Sequence, residues 1–416
     1  YLSLDSYIPE TKYVAGVAGF NYFTDLYSRN GVFIVVTSDP SSLPSQGRSF
    51  ILSGESTSEK NHPEPEDDRW MVVDPELGSK ILGRMAIRKP GTSRLSDERI
   101  FFNDTPGSKS GSFIDHYFHL AELFLGAWRV LASAGEDELP TRLMFRTAPD
   151  DWRDRTGLTP WFQQAVLPST SVEERTIFED RSSSSLTFIY DRMVIVDRWA
   201  AHRHGQETKW WNKATADLPL LSVAKNWMSP LRNAMKNLVI ADGCDMRRKW
   251  SDRPVVTYIN RQMTGRRLTE EDAEGLLRSM NRLSQEGVIE FTDAKMETMS
   301  RTEQFCLALR TDIMIGVHGN GLTHQLWMKP DSGVLEFMMG PGFARDYALV
   351  AELMGHEYYA IHDDHVFPPD QWRREDGWAV DQGPGFHGSN IRVNGEFIAE
   401  MVRDMAAARR GVTEPL

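Results

Sequence analysis

Only two cysteines, Cys244 and Cys306, stand among the 416 residues. A framework of several disulfides and a four-cysteine zinc site are both excluded by that count. One Cys244–Cys306 bridge is compatible with it, and two separate buried thiols are the expectation. Long apolar runs are missing too: none approaches the ~18 residues that cross a bilayer as a helix. Nor is there an excess of positive charge. Lys and Arg number 47 against 59 Asp and Glu, a net charge of −12. That balance argues against a nucleic-acid binder, which needs a basic stripe, but leaves room for a local basic pocket. Four catalytic signatures are absent: Gly-x-x-x-x-Gly-Lys, Gly-x-Ser-x-Gly, His-Glu-x-x-His and Asp-x-Asp. These are, in order, a P-loop, a nucleophile elbow, a zinc-protease helix and a metal–nucleotide clamp.

What is present is ordinary globular material, with 40% hydrophobic and 25% charged residues, and a length that favours two domains. The chain begins at Tyr1 without a signal peptide. It reads as the trimmed part of a protein whose membrane anchor lies outside it.

Residues 1–230 read as loop-rich, with a strand at 31–37 and a strong helix at 113–131, where Phe113, Tyr117, Leu120, Leu123, Phe124 and Ala127 follow three- and four-residue spacing. After Pro230 the character changes. Strands are predicted at 253–259, 288–291, 312–317, 334–337 and 358–361. Helices begin at Thr269, Ser300, Leu322 and Ala344, the first two behind N-cap signals. Regular alternation of strand and helix predicts a parallel, Rossmann-like sheet over 231–395. A last helix, at 396–416, is amphipathic; the architecture implied by the family resemblance given below would have it return to the first domain.

Three constellations carry chemistry. Ile313 to His324 runs from an apolar strand into His318-Gly319-Asn320-Gly321 and then Leu322, Thr323 and His324. Glycines at a strand-to-helix turn bring backbone N–H groups close to a phosphate. The same residues also suit a plain tight turn. Tyr258-Ile-Asn-Arg261, followed by Arg266 and Arg267, places arginines past a strand end, where they could grip a diphosphate or line a solvated loop. Asp115-His116-Tyr-Phe-His119-Leu-Ala-Glu122 puts His116, His119 and Glu122 three residues apart on one helix face, fit for a general base and its partner or for a structural pair. Weaker candidates are His362-Asp-Asp-His365 for a metal and Trp210-Trp211 for stacking on a sugar. Asn103-Asp-Thr105 is the sole N-glycosylation sequon.

Taken in order, Tyr117 to Glu122, Val256 to Arg261 with Arg266-Arg267-Leu268, Glu303-Gln-Phe305, Gly316 to His324 and Val334 to Phe337 resemble glycosyltransferase family 61. Asn320 stands where that family usually has alanine. The resemblance covers about residues 113–340. It implies an α/β GT-B architecture of two Rossmann-like domains facing a cleft, residues 1–230 holding the acceptor and 231–395 the donor. It also implies an inverting transfer from a UDP-sugar to a hydroxyl of a glycan or glycoprotein, with no cofactor and no obligatory metal, in the Golgi or ER lumen. Xylose is the first donor sugar and N-acetylglucosamine the second. A non-catalytic nucleotide-sugar or glycan-binding module on the same fold is the competing class. In the enzyme reading His119 is the base, Glu122 its partner and His116 the substitute. Arg261, Arg266, Arg267 and residues 318–324 face the nucleotide, and Glu336 takes the ribose hydroxyls.

Overall fold

The computed structural model describes residues 8–54, 63–82, 92–103, 115–148, 153–154, 156–206, 213–246, 253–373 and 382–409. Trp210 and Trp211 lie outside these. The chain divides into two compact units, Tyr1–Pro230 and Leu231–Leu416.

The first unit is built on eight strands: β1 (Lys12–Val17), β2 (Phe20–Arg29), β3 (Val32–Val36), β4 (Trp70–Val73), β5 (Thr92–Phe102), β6 (Arg142–Phe145), β7 (Ser171–Glu173) and β8 (Thr187–Val196). They pair in the order β4-β3-β2-β8-β5-β6-β7, with β1 also on β2. β5, β6, β7 and β8 are mutually parallel, whereas β2 runs antiparallel to β1, β3 and β8. The family resemblance implies a Rossmann-like half here; the sheet is mixed, parallel over β5 to β8 and antiparallel around β2. Charge in mid-strand, Asp191-Arg192 in β8 and Glu98 in β5, breaks the apolar pattern that marks a strand. The helices are α1 (Pro75–Leu82), α2 (Tyr117–Ser133), α3 (Leu158–Val166), α4 (Arg175–Ser183) and α5 (Arg198–His204). α2 is apolar almost all round and correspondingly buried. A Cβ at Gly126 would lie 2.2 Å from the Phe20 ring, so the glycine is what lets α2 settle on β2.

The second unit holds β9 (Val255–Ile259), β10 (Glu290–Ala294), β11 (Ile313–Val317), β12 (Gly333–Phe337), β13 (Glu357–His362) and β14 (His365–Phe367). Their order is β10-β9-β11-β12-β13-β14, parallel except for the last pair. β9, β11 and β12 are buried on both faces, which is why they read as unbroken apolar runs rather than alternating ones. The helices are α6 (Ser229–Ala241), α7 (Glu270–Gln285), α8 (Arg301–Arg310), α9 (Asp346–Met354) and α10 (Gly395–Arg409). Thr269 caps α7, and Ser300 with Glu303 forms a full capping box on α8. α10 packs along α7 through Ile398, Val402 and Met405 against Leu276, Met280 and Leu283. It therefore belongs to the second unit.

The helix predicted at Leu322 is a 3₁₀ stretch, Asn320–Trp327, wedged against α8 and α9. Cys244, just past α6, and Cys306, in α8, form a disulfide across 62 residues. The expectation of two separate thiols is wrong. Spacing in sequence carries no information about which helix ends fold together.

Candidate active site

In an open parallel sheet, ligands bind beyond the carboxyl ends of the strands, where the strand order reverses direction. In the second unit that point lies between β9 and β11, because β10 follows β9 on one side and β12 to β13 follow β11 on the other. Arg261 and the His318-Gly319-Asn320-Gly321 loop leave these two strands side by side. The loop after β9 is closed on itself. Gln262 accepts from the Leu268 amide at 3.1 Å and donates to the Leu268 carbonyl at 3.2 Å, and Thr264 N–H donates to the Arg261 carbonyl at 2.8 Å. This folding aims two guanidiniums at one atom. Arg266 Nη1 and Arg261 Nη1 donate to the His318 carbonyl at 2.7 and 3.4 Å.

Neither guanidinium forms an ion pair with a carboxylate among the described residues. Burial lowers the pKa of both, and for Arg266 the charge of Arg261 adds to that effect. Two half-buried cations on one carbonyl, with no ion pair to a described carboxylate, are chemically suited to receive an anion. Gly319 (φ 154°) passes directly under Arg261. At Gly321 a Cβ would lie 2.6 Å from the Ile259 side chain, so both glycines are required by close approach rather than by turn chemistry alone.

The other residues predicted to face a nucleotide are placed differently. Leu322, Thr323 and His324 are buried. Thr323 donates to Asn320 Oδ1, and His324 packs edge-on to Phe305 and bonds Gln304. A 3₁₀ winding brings every third side chain to one side, and here packing between α8 and α9 turns these three inward. Arg267 bonds the Thr264 carbonyl at 2.9 Å and shapes the loop. Glu336 is fully buried, and both its oxygens are taken, by His318 Nδ1 and by the Tyr358 hydroxyl. With no exposed surface, it does not face a ligand as the ribose role requires. His362 is buried and bonds the Gly342 carbonyl at 2.9 Å, so the His362–His365 run does not converge on a metal. No cluster of three metal-binding side chains occurs among the described residues.

Sequence reasoning missed the outer wall. Phe386 lies 5.1 Å from the His318 ring and 5.5 Å from the Arg266 guanidinium. His387 Nδ1 accepts from Arg266 at 2.5 Å. The signal available was Gly383-Pro-Gly-Phe-His-Gly388, a glycine-rich segment with an aromatic pair.

In the first unit, His119 and Glu122 stand in the opening turns of α2, which follows β5, and Arg198 follows β8. All three mark the carboxyl edge of parallel strands. His119 Nδ1 meets Glu122 Oε1 at 2.8 Å, and Arg198 Nε lies 3.8 Å from the same oxygen. The His119 side chain is 23% exposed and that of Glu122 5%. The His116 ring is 4.9 Å from that of His119. The enclosing protein and the His119 ring push its pKa down to about 4, so it is neutral at neutral pH. Asn103 is 1% exposed. Its Nδ2 donates to Asp197 at 2.5 Å and Ser53 at 3.3 Å, and its Oδ1 accepts from Arg69 at 2.8 Å. A glycan on that nitrogen would break this network, so the sequon does not fit a modified site in this fold.

The family model for Glycosyltransferase 61 matches residues 113–335, a span that takes in both clusters. The chain belongs to glycosyltransferase family 61. Among curated proteins it is 36% identical, over 84 residues, to the EGF domain-specific O-linked N-acetylglucosamine transferase of Xenopus laevis. That stretch is 20% of this chain and 16% of the Xenopus protein, so the chain covers far less than two thirds of that relative. None of the described helices is long and apolar enough to cross a membrane.

Proposed function

We propose that this family member is an inverting glycosyltransferase of GT-B architecture that moves a sugar from a UDP-sugar to a hydroxyl of a glycan or glycoprotein. The observation that carries the reading is the pair Arg261 and Arg266 at the sheet's switch point, two guanidiniums that form no ion pair with a carboxylate among the described residues. Their chemistry matches a diphosphate leaving group, and it supports transfer without an obligatory metal, because fixed cations supply the charge that a metal ion otherwise brings. His119 is the base, oriented by Glu122. A positioned imidazole nitrogen can take the acceptor's proton in the transition state. A disulfide persists in an oxidising compartment, which supports placement in the Golgi or ER lumen. For the donor, xylose follows from the family resemblance. The name of the Xenopus relative favours N-acetylglucosamine as a second reading.

The experiment is a thermal-shift and UDP-release series with UDP-xylose, UDP-N-acetylglucosamine, UDP-glucose and UDP-arabinose, each with and without EDTA. A cognate donor raises the melting temperature through binding to the native state and releases UDP when a glycan acceptor is added, and EDTA changes neither. Absence of any shift with all four donors refutes the nucleotide-sugar reading. Binding without release refutes the enzyme in favour of a binding module. Loss of release in EDTA that Mn²⁺ restores refutes metal independence.

A further inference from the structure

Arg266 is held by contacts of two kinds. Nη1 donates to the His318 carbonyl at 2.7 Å, and the guanidinium lies 5.5 Å from the Phe386 ring. Phe386 is 1% exposed and meets the His318 ring edge-on at 5.1 Å. A main-chain oxygen and a buried ring cannot turn away, so these contacts are fixed. The third contact differs. Nη2 donates to Nδ1 of His387 at 2.5 Å, and His387 is exposed. An exposed side chain leaves such a contact by rotating about its own bonds, with no movement of the backbone.

The His387 ring has a defined tautomer. A guanidinium has hydrogens to donate and no lone pair to accept with, so Nδ1 is the acceptor. Nε2 then carries the hydrogen, and it donates to Gln382 Oε1 at 2.6 Å. Gln382 therefore holds the ring with Nδ1 turned to Arg266. Burial, and then the Arg266 charge, lower the His387 pKa, which keeps the ring neutral and its Nδ1 lone pair available. The chain around His387 is tied by main-chain bonds of its own, from the Gly388 N–H to the Gly385 carbonyl at 2.8 Å and from the Arg267 N–H to the Gly388 carbonyl at 3.3 Å. Nη2 of Arg266 is thus occupied by a neutral acceptor that the fold can release.

We propose that His387 is an internal stand-in for the anion: it occupies Nη2 of Arg266 in the ligand-free protein, gives it up to a phosphate oxygen of the UDP-sugar, and takes it back when UDP leaves. The proposal rests on the nucleotide reading above. An anionic oxygen displaces a neutral ring nitrogen because the bond it accepts is assisted by charge on both sides. The exchange still loses the bond that His387 made, so His387, oriented by Gln382, weakens the binding of donor and product alike. Removal of the imidazole does not release Arg266, since the His318 carbonyl and Phe386 continue to hold it. The contact therefore acts as a latch that lowers nucleotide affinity and assists the departure of UDP after each transfer.

The test is calorimetry of UDP binding to the whole chain, to His387→Ala, to Gln382→Ala and to the double variant. His387 is exposed and Gln382 half-buried, so these substitutions leave the core intact. His387→Ala is expected to bind UDP about two- to tenfold more tightly, the worth of one net hydrogen bond. Gln382→Ala shifts affinity in the same direction by less, because the imidazole remains but loses its orientation. In the double variant Gln382→Ala adds nothing, because it acts through His387. Weaker UDP binding in His387→Ala makes His387 a support of Arg266 rather than its competitor and overturns the proposal, as does an unchanged Kd. A gain from Gln382→Ala that persists in the double variant overturns the role given to Gln382. Absence of UDP binding in the unmodified protein and in all three variants instead overturns the nucleotide reading, and with it the occupant named here.

Discussion

A Cβ on Gly319 would lie 1.4 Å from Nη1 of Arg261. The most strongly predicted glycine and the most strongly predicted arginine are thus in contact, and each sets the position of the other. Gly319→Ala pushes the guanidinium away from the His318 carbonyl without touching the hydrophobic core. The expected loss in UDP affinity is about 1.5–3 kcal/mol, the range for a hydrogen bond to a charged group, and it matches that of Arg261→Ala. Equal UDP affinity for Gly319→Ala and the unmodified protein, by calorimetry, would refute the role given to Arg261.

His119 and Glu122 are held as a pair at 2.8 Å. Replacing His119 with alanine is expected to lower turnover by about 10²–10⁴, while UDP affinity stays near its original value. Glu122→Ala lowers turnover less, because the imidazole survives without its orienting carboxylate. Side-by-side assays of transfer and UDP binding decide this. Near-normal transfer in both variants places the base elsewhere, with Asp115 and His116 next to test.

The Cys244–Cys306 bridge ties the end of α6 to α8. Closing a loop of this length restricts the unfolded chain and contributes about 2–4 kcal/mol. Cys306→Ser should lower the guanidinium midpoint accordingly. Reductant should lower the midpoint of the unmodified protein and leave that of the variant unchanged.

Stability of the second unit falls in acid. Burial pushes the pKa of His324 down to about 4, and that of His356 to about 4 against the opposing pull of its bond to the Gln325 carbonyl. Both start from an ordinary value of 6.5. Above that pH the two are neutral whether folded or unfolded, and stability is independent of them. As pH falls toward 4 the unfolded chain takes up protons that the folded one refuses. Stability then drops by up to ~1.4 kcal/mol per pH unit for each histidine. Denaturant midpoints at pH 7, 6 and 5 measure this, and His324→Gln should flatten the slope. Equal midpoints at all three pH values would show that these histidines are not buried neutral.

Local signals written in the sequence determined the second unit closely. Apolar runs such as Val255–Ile259 and Ile313–Val317 are strands because both their faces are buried. Thr269 and Ser300 start helices because their hydroxyls satisfy N–H groups three residues on. The glycines and arginines past those strands stand out in the sequence for the same reason, since each depends on its immediate neighbours. Tertiary structure alone decided the rest. Which partner Glu336 meets depends on β12 lying beside β11 and β13, and the register pairs Gly316 with Glu336 and Glu336 with Ala360, bringing His318 and Tyr358 to its two oxygens. The inward turn of His324, the Phe386–His387 wall against Arg266 and the burial of Asn103 likewise join segments distant in sequence. Contacts of that kind arise from packing and hydrogen-bond satisfaction across the whole fold, and no local pattern records them.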